Sequence, residues 1–292
     1  MTAISPDILR QVKRIELRTR GLVNSRFVGE YHSVFKGQGM EFSEVREYQP
    51  GDEVRTIDWN VSARMRRLFV KRYVEERELT VLLIVDCSGS SRFGTGERDK
   101  QSMAAELAAV LALTATRNND RVGLIIGSDQ PEHVVPPRKG RRHALRLVRD
   151  VLAWPTSARP TNLATSLDYA AQVLSHHSIV FVISDFVTPT IERQLRMLSQ
   201  RHDLVAVVLD DPGERTLPDL GVSRLVDTET GQLVEIDTSD AGVRERYARD
   251  IGEERDARRH LLRRLAIDEV VVRTETGWAE PLLRFFNTRE LR

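Results

Sequence analysis

Leu79-Thr80-Val81-Leu82-Leu83-Ile84-Val85, closed by Asp86-Cys87-Ser88-Gly89-Ser90, is the stretch that decides the fold of this chain. A run this apolar, without polar alternation, reads as a strand buried on both faces, as in a parallel sheet covered by helices. The acid and small polar residues that end it fall where such sheets bind ligands, beyond the carboxyl ends of the strands.

Working outward, Asp99 to Arg117 carries helical spacing through Met103, Leu107, Val110, Leu111 and Thr114. A strand at Val122 to Ile126 follows, then an edge-like one at Glu132 to Val135 between Pro131 and Pro136. Helices at Arg141 to Leu152 and Leu163 to Leu174 lead to a buried strand at Ile179 to Ile183. A helix (Ile191 to Arg201), a strand (Leu204 to Leu209) and a hairpin turning near Thr230-Gly231 come next. A long helix of mixed charge, Val243 to Ala266, reads as solvent-facing and amphipathic. A strand at Glu269 to Val272 and a helix near Pro281 to Phe286 complete the alternation. It predicts an α/β fold over 79–292, a doubly wound, mostly parallel sheet flanked by helices.

Residues 1–78 have a different texture. Ser5-Pro6-Asp7 starts a helix with apolar Ile8, Val12, Ile15 and Leu17, ending near Gly21. From Glu30 to Arg77, short alternations broken by Gly37, Gly39, Pro50 and Gly51 predict small strands and turns, clearest at Leu68 to Val74. No Gly/Ser-rich linker precedes Leu79, so this segment is expected to fold as one unit with the sheet.

The 292 residues are 40% apolar and 30% charged, an ordinary globular mixture. A net charge of +1 gives no reason to expect a nucleic-acid or membrane partner. With Cys87 the sole cysteine, no intramolecular disulfide forms and a reducing cytoplasm is the natural setting. No run approaches the roughly 18 apolar residues of a membrane span. Charges throughout Met1 to Arg20 argue against a secretion signal.

The first strand ends in Asp86, the fourth in Ser184-Asp185, and Pro160-Thr161-Asn162-Leu163 leads into a helix between them. In the usual strand order the first and fourth strands are neighbours at the switch point. Asp86 and Asp185 then face one small ion, with Ser88, Ser90 and Thr161 adding hydroxyl oxygens. Such hard oxygen donors suit a divalent cation, Mg²⁺ first, with Mn²⁺ or Ca²⁺ as alternatives. The site leaves a coordination position for a partner's acidic side chain and supplies no base.

Asp86-x-Ser-x-Ser, Thr161 and Asp185, in that order, resemble the metal-ion-dependent adhesion site of von Willebrand A domains. Thr161-Asn162-Leu163 is similar to that family's threonine loop, although Arg159-Pro160 stand where glycines are common. Upstream, Gly39-Met40-Glu41-Phe42, Arg46-Glu47-Tyr48-Gln49-Pro50-Gly51-Asp52 and Arg55-Thr56-Ile57-Asp58-Trp59-Asn60-Val61-Ser62-Ala63-Arg64 resemble the signature of the domain of unknown function 58 family. The resemblance implies a von Willebrand A-like Rossmannoid fold and a non-enzymatic role as adaptor or chaperone-accessory beside a MoxR-type AAA+ ATPase and its client. Many relatives carry membrane spans, and this chain shows none.

Simpler readings compete with these. Ser88, Ser90 and Ser91 also suit helix capping. Cys87 reads as a packing residue. Arg46, Asp52, Arg55, Asp58, Trp59 and Arg64 are either a partner surface or structural, with Asp52, Arg55, Asp58 and Arg64 as an ion-pair network and Trp59 as a core or interface anchor. The basic clusters at Arg64 to Arg72 and Arg138 to Arg149 lack the aromatic interleaving of base-stacking surfaces. The strongest rival function is a metal-dependent hydrolase or phosphotransferase using Asp86. Against it, Ser88 stands where haloacid-dehalogenase-like sites have a second acid, and no lysine is evident beside the cluster.

Overall fold

The computed structural model describes residues 6–22, 29, 31, 34–35, 40–75, 78–96, 98–155, 161–188, 191–226 and 232–290. Ser5, Gly37, Gly39, Arg159-Pro160 and the Thr230-Gly231 turn lie outside them. The chain divides into two compact units, residues 1–34 with 80–292, and residues 35–79. The first helix therefore falls with the sheet rather than with the β-rich segment that follows it.

In the small unit, β1 (Met40–Glu47) and β2 (Phe69–Glu75) pair antiparallel, with a bulge between Phe42 and Glu44. A short helix, α2 (Trp59–Met65), joins them where turns alone were expected. Asp58 caps it by accepting from the amides of Asn60 (2.9 Å) and Val61 (3.1 Å). Arg66 ends it in the left-handed region. The Ser62 hydroxyl accepts from the Phe69 amide at 2.8 Å, tying the helix to β2.

The large unit begins with α1 (Pro6–Leu22), which buries Val12 and Ile15. Its sheet contains β3 (Thr80–Asp86), β4 (Arg121–Gly127), β5 (Pro131–Arg138), β6 (Ile179–Ser184), β7 (Asp203–Asp210) and β10 (Asp268–Arg273). The order is β10-β7-β6-β3-β4-β5, all parallel except β5, which runs antiparallel to β4 at the edge. Numbered within the six-stranded sheet alone, that is the doubly wound order 3-2-1-4-5-6, reversing between β3 and β6. Pro131, Pro136 and Pro137 are tolerated in β5 because an edge strand has one unpaired side.

Both faces are covered. Leu82 and Ile84 of β3 and Val180 and Val182 of β6 pack with α5 (Leu163–Val173), α6 (Glu192–Ser199) and α7 (Ala241–Arg264). The alternate residues Val81, Leu83, Val85 and Phe181 are buried as well, as is nearly every position of α3 (Lys100–Arg117). This two-sided burial is why β3 and β6 show no alternation. The remaining elements are α4 (Arg141–Ala153), the exposed hairpin β8 (Val222–Val226) and β9 (Leu233–Asp237), and α8 (Ala279–Glu290). Among the described residues, no helix is long and apolar enough to cross a membrane.

His202, at the entry to β7, is 4% exposed, and neither ring nitrogen has a hydrogen-bond partner among the described residues. Burial, then the charges of Arg201 and His177, push its pKa down to about 4 from the usual 6.5. The unfolded chain takes up this proton first, so stability is lost as pH falls from 6.5 through 4. By pH 5 the expected loss is on the order of 2 kcal/mol. Urea unfolding at pH 7 and pH 5 checks it, with His202→Phe expected to flatten the difference.

Candidate metal centre

The site grows from the switch point. Val85 of β3 pairs with Ile183 of β6, so Asp86 and Ser184-Asp185 leave adjacent strands together. On the other side, Asp86 pairs with Gly127 of β4. The Ser128 carbonyl there accepts from the Asn162 amide at 2.8 Å, which brings the Thr161 segment to the same strand ends. Thr161 is buried, and its carbonyl accepts from the Thr188 hydroxyl at 3.4 Å.

Asp86 is 3% exposed and held from both oxygens. Oδ1 accepts from the Ser88 amide (2.9 Å) and Oδ2 from the Ser184 hydroxyl (2.7 Å). Burial, and then the charge of Asp185, still push its pKa up to about 6. The two carboxylates thus sense each other in a poorly solvated place.

The Ser88 and Ser90 hydroxyls face one another at 3.2 Å. Ser88 sits at the N-cap of a 3₁₀ turn, Gly89–Arg92, yet its side chain makes no cap bond. The helix beyond is capped by Asp99, which accepts from the Ser102 amide at 2.7 Å. Ser91 is spent locally, donating to the Ser88 carbonyl at 2.7 Å. Capping therefore does not account for Ser88 and Ser90. Cys87 is buried, and burial followed by the charge of Asp86 drives its thiol pKa far upward, so it is a packing residue.

One expectation is corrected here, because a lysine does stand in the cluster. Lys100, 1% exposed at the first turn of α3, donates from Nζ to Asp185 Oδ2 (2.9 Å) and Glu214 Oε1 (2.5 Å). Burial alone would lower its pKa, but Asp185 and Glu214 outweigh that and raise it. Burial raises Glu214, with Lys100 opposing. Asp185 and Glu214 thus share one ammonium, and Asp86 beside them has no cation as a bonded partner among the described residues, leaving more formal negative than positive charge across the three acids and Lys100.

That deficit and the donor set fit a divalent ion. Two carboxylates, two paired hydroxyls and a nearby threonine are hard oxygen donors, and Mg²⁺ needs few protein carboxylates beside its waters. Among the described residues no group of three or more His, Cys, Asp or Glu is placed to hold a metal, so any ion here depends on hydroxyls and water. Phe186, next to Asp185, has φ 62. A bulky residue in this left-handed region stores about 1–3 kcal/mol of strain. Bonds from the Phe186 amide to the Ser184 hydroxyl (2.9 Å) and from the Val187 amide to Asp185 Oδ1 (3.1 Å) hold the turn.

The upstream signature residues act inside the small unit and do not form one network. Arg46 grips Asp52 with a two-pronged bond at 2.8 and 2.7 Å, and holds that carboxyl below its usual pKa. Asp58 caps α2 and lies 3.6 Å from Lys71, while Arg55 and Arg64 join neither pair. Trp59 is 64% exposed, so it is no core anchor. It edges a shallow hollow with Ser62, Ala63 and Arg66.

Ser184, Lys100 and Glu214 are site residues that pattern reading missed. A signal existed for Lys100: a cation at a helix N-terminus opposes the macrodipole and implies a nearby acid.

The profile of the family described as Protein of unknown function DUF58 matches residues 44–257. The uncharacterized protein Rv1480 of Mycobacterium tuberculosis is 30% identical over 287 residues, covering 97% of this chain and 90% of its own length. The uncharacterized protein YeaD of Bacillus subtilis is 28% identical over 106 residues, 36% of this chain and 24% of that one. Among solved structures, the conserved hypothetical protein BatB from Bacteroides thetaiotaomicron aligns with a TM-score of 0.48 at 14% identity, over 73% of this chain and all of that one. A von Willebrand factor type A protein from Catenulispora acidiphila aligns with a TM-score of 0.35 at 12% identity, over 49% of this chain and 35% of that one.

Proposed function

This chain belongs to the DUF58 family of proteins of unknown function, and on that premise we propose that it is a metal-dependent protein-interaction module without catalytic activity. Asp86 and Asp185 hold one divalent ion, Mg²⁺ first, with the help of Ser88, Ser90 and Thr161. The ion, when bound, offers a Lewis-acidic position to a carboxylate from the partner. The chain's own residues fix the ligands, exclude solvent and balance charge. In the proposed setting the partner is a MoxR-type AAA+ ATPase or its client, in a reducing cytoplasm.

The observation that carries this reading is the pair of hydroxyls on Ser88 and Ser90. They face one another beside two buried acids and are not used for capping. A phosphotransferase reading gains Lys100, but that ammonium is taken up by Asp185 and Glu214. Turnover of phosphoesters in Mg²⁺ would favour that alternative.

Ser88→Ala combined with Ser90→Ala should weaken capture of the ATPase at least tenfold and leave the fold intact. Chelation should cause the same loss, and the two should not add, because both remove one bridge. Partner affinity in the four combinations of protein and metal decides it. Undiminished binding by the folded double variant places the interface elsewhere.

A further inference from the structure

The small unit carries a second surface, on the stretch of chain between its two strands. Asp58 caps the start of α2, and its own amide donates to the Phe69 carbonyl at 2.8 Å. The Leu68 carbonyl accepts from the Tyr48 amide, also at 2.8 Å. Trp59 and Leu68 therefore stand on a pinned backbone, yet they are 64% and 45% exposed. Together they line one open hollow of about 300 Å³ with Ser62, Ala63, Arg66 and Arg67. Apolar residues exposed singly need no account, but two that share one concave surface mark a place of contact.

The charge of this hollow has one sign. Among the described residues no acid lines it. Asp58 is occupied by its two cap bonds and by Lys71 at 3.6 Å. Glu47 reaches Arg67 at 3.4 Å, but both side chains are more than half exposed, which makes a weak pair. The side chains of Arg66, and of Arg64 on the same helix, have no hydrogen bond or ion pair among the described residues. Arg66 also stands at φ 52, where a helix end usually has glycine. Glycine holds that conformation without the steric cost an arginine bears, so the local fold does not call for this side chain. Trp59, Arg66 and Arg67 carry only N–H donors, and the Ser62 hydroxyl is spent on the Phe69 amide. The hollow is apolar, cationic and rich in donors.

We propose that it docks an acidic segment of a partner protein. An aromatic or aliphatic side chain lies against Trp59 and Leu68, and a neighbouring carboxylate meets the Arg66 guanidinium. Charge complementarity identifies this occupant, because the ligand must bring the negative charge and the acceptors that the lining lacks. Tryptophan beside arginine is also the composition of interface hot spots. A nucleic acid would need a longer basic track and more than one stacking ring. A bilayer takes up protruding apolar side chains, whereas this surface is concave. The site makes no use of the metal centre and is independent of it.

The test is a random peptide phage library panned on the full chain in chelator, so that no acid is captured through a metal ion. Selected peptides should place an acid beside an aromatic or aliphatic residue. A synthetic peptide of the selected sequence should bind Trp59→Ala and Arg66→Gly at least tenfold more weakly than wild type. Exchanging its acids for the matching amides should cost as much in wild type and little in Arg66→Gly. The glycine variant also separates binding from structure, since it suits the left-handed position and should melt no lower than wild type. A melting temperature well below wild type makes Arg66 a structural residue and overturns its role here. Peptides that bind both variants as tightly as wild type, or selection of no acidic peptides, overturn the proposal. So does binding of an oligothymidylate or of phosphatidylglycerol vesicles in their place, lost in Trp59→Ala, which assigns the surface to nucleic acid or lipid.

Discussion

Lys100→Met should destabilise the metal-free protein by about 3–5 kcal/mol, the usual cost of removing one partner from a buried ion pair. The side chain fits in volume, so the loss comes from charge. Asp185 and Glu214 keep their burial and lose the ammonium that bridges them. Either they take up protons or the turn at Phe186 opens to let water in. A divalent ion supplies part of the missing charge, so Mg²⁺ should raise the melting temperature of the variant more than that of wild type. Urea unfolding in chelator and in Mg²⁺ measures both effects. A change below about 1 kcal/mol would show that the pair is solvated and matters little.

Asp86→Asn should do the opposite to the metal-free protein. Burial and the facing Asp185 hold the Asp86 carboxyl near pKa 6, so at pH 7 the native state carries a charge it would be more stable without. For an acid raised in the folded state, the penalty develops as pH rises from the unfolded value through 6 and is then constant. The asparagine removes it, a gain on the order of 2–3 kcal/mol at pH 7 that should vanish by pH 4. The amide oxygen still accepts from Ser88, and the Ser184 hydroxyl can turn to receive the new N–H. Chemical denaturation in chelator across this range checks it. Stability lost at a binding residue and regained by its neutral isostere is the expected mark of a functional acid.

The parts legible in the sequence are those fixed by local pattern. Val81–Val85 and Ile179–Ile183 announce buried parallel strands because both faces are covered, and strand order then brings Asp86 beside Asp185. Helix α2 was not legible, because seven residues carry no useful period and its signal reduces to the Asp58 cap. Lys100 and Glu214 lie 114 positions apart, and Asp210 meets Arg255 across 45. Such pairs are chosen by tertiary packing, and spacing along the chain does not encode them. Trp59 shows a different limit: an aromatic in a dense motif suits a core or an interface anchor alike, and only its exposure removes the core reading.

The central claim is that one divalent ion sits between Asp86 and Asp185. Calorimetric titration of Mg²⁺ and Mn²⁺ into wild type and Asp86→Asn tests it most directly. The expected result is one ion per wild-type chain and no measurable binding by the well-folded variant. Equal affinity in the two proteins would contradict it.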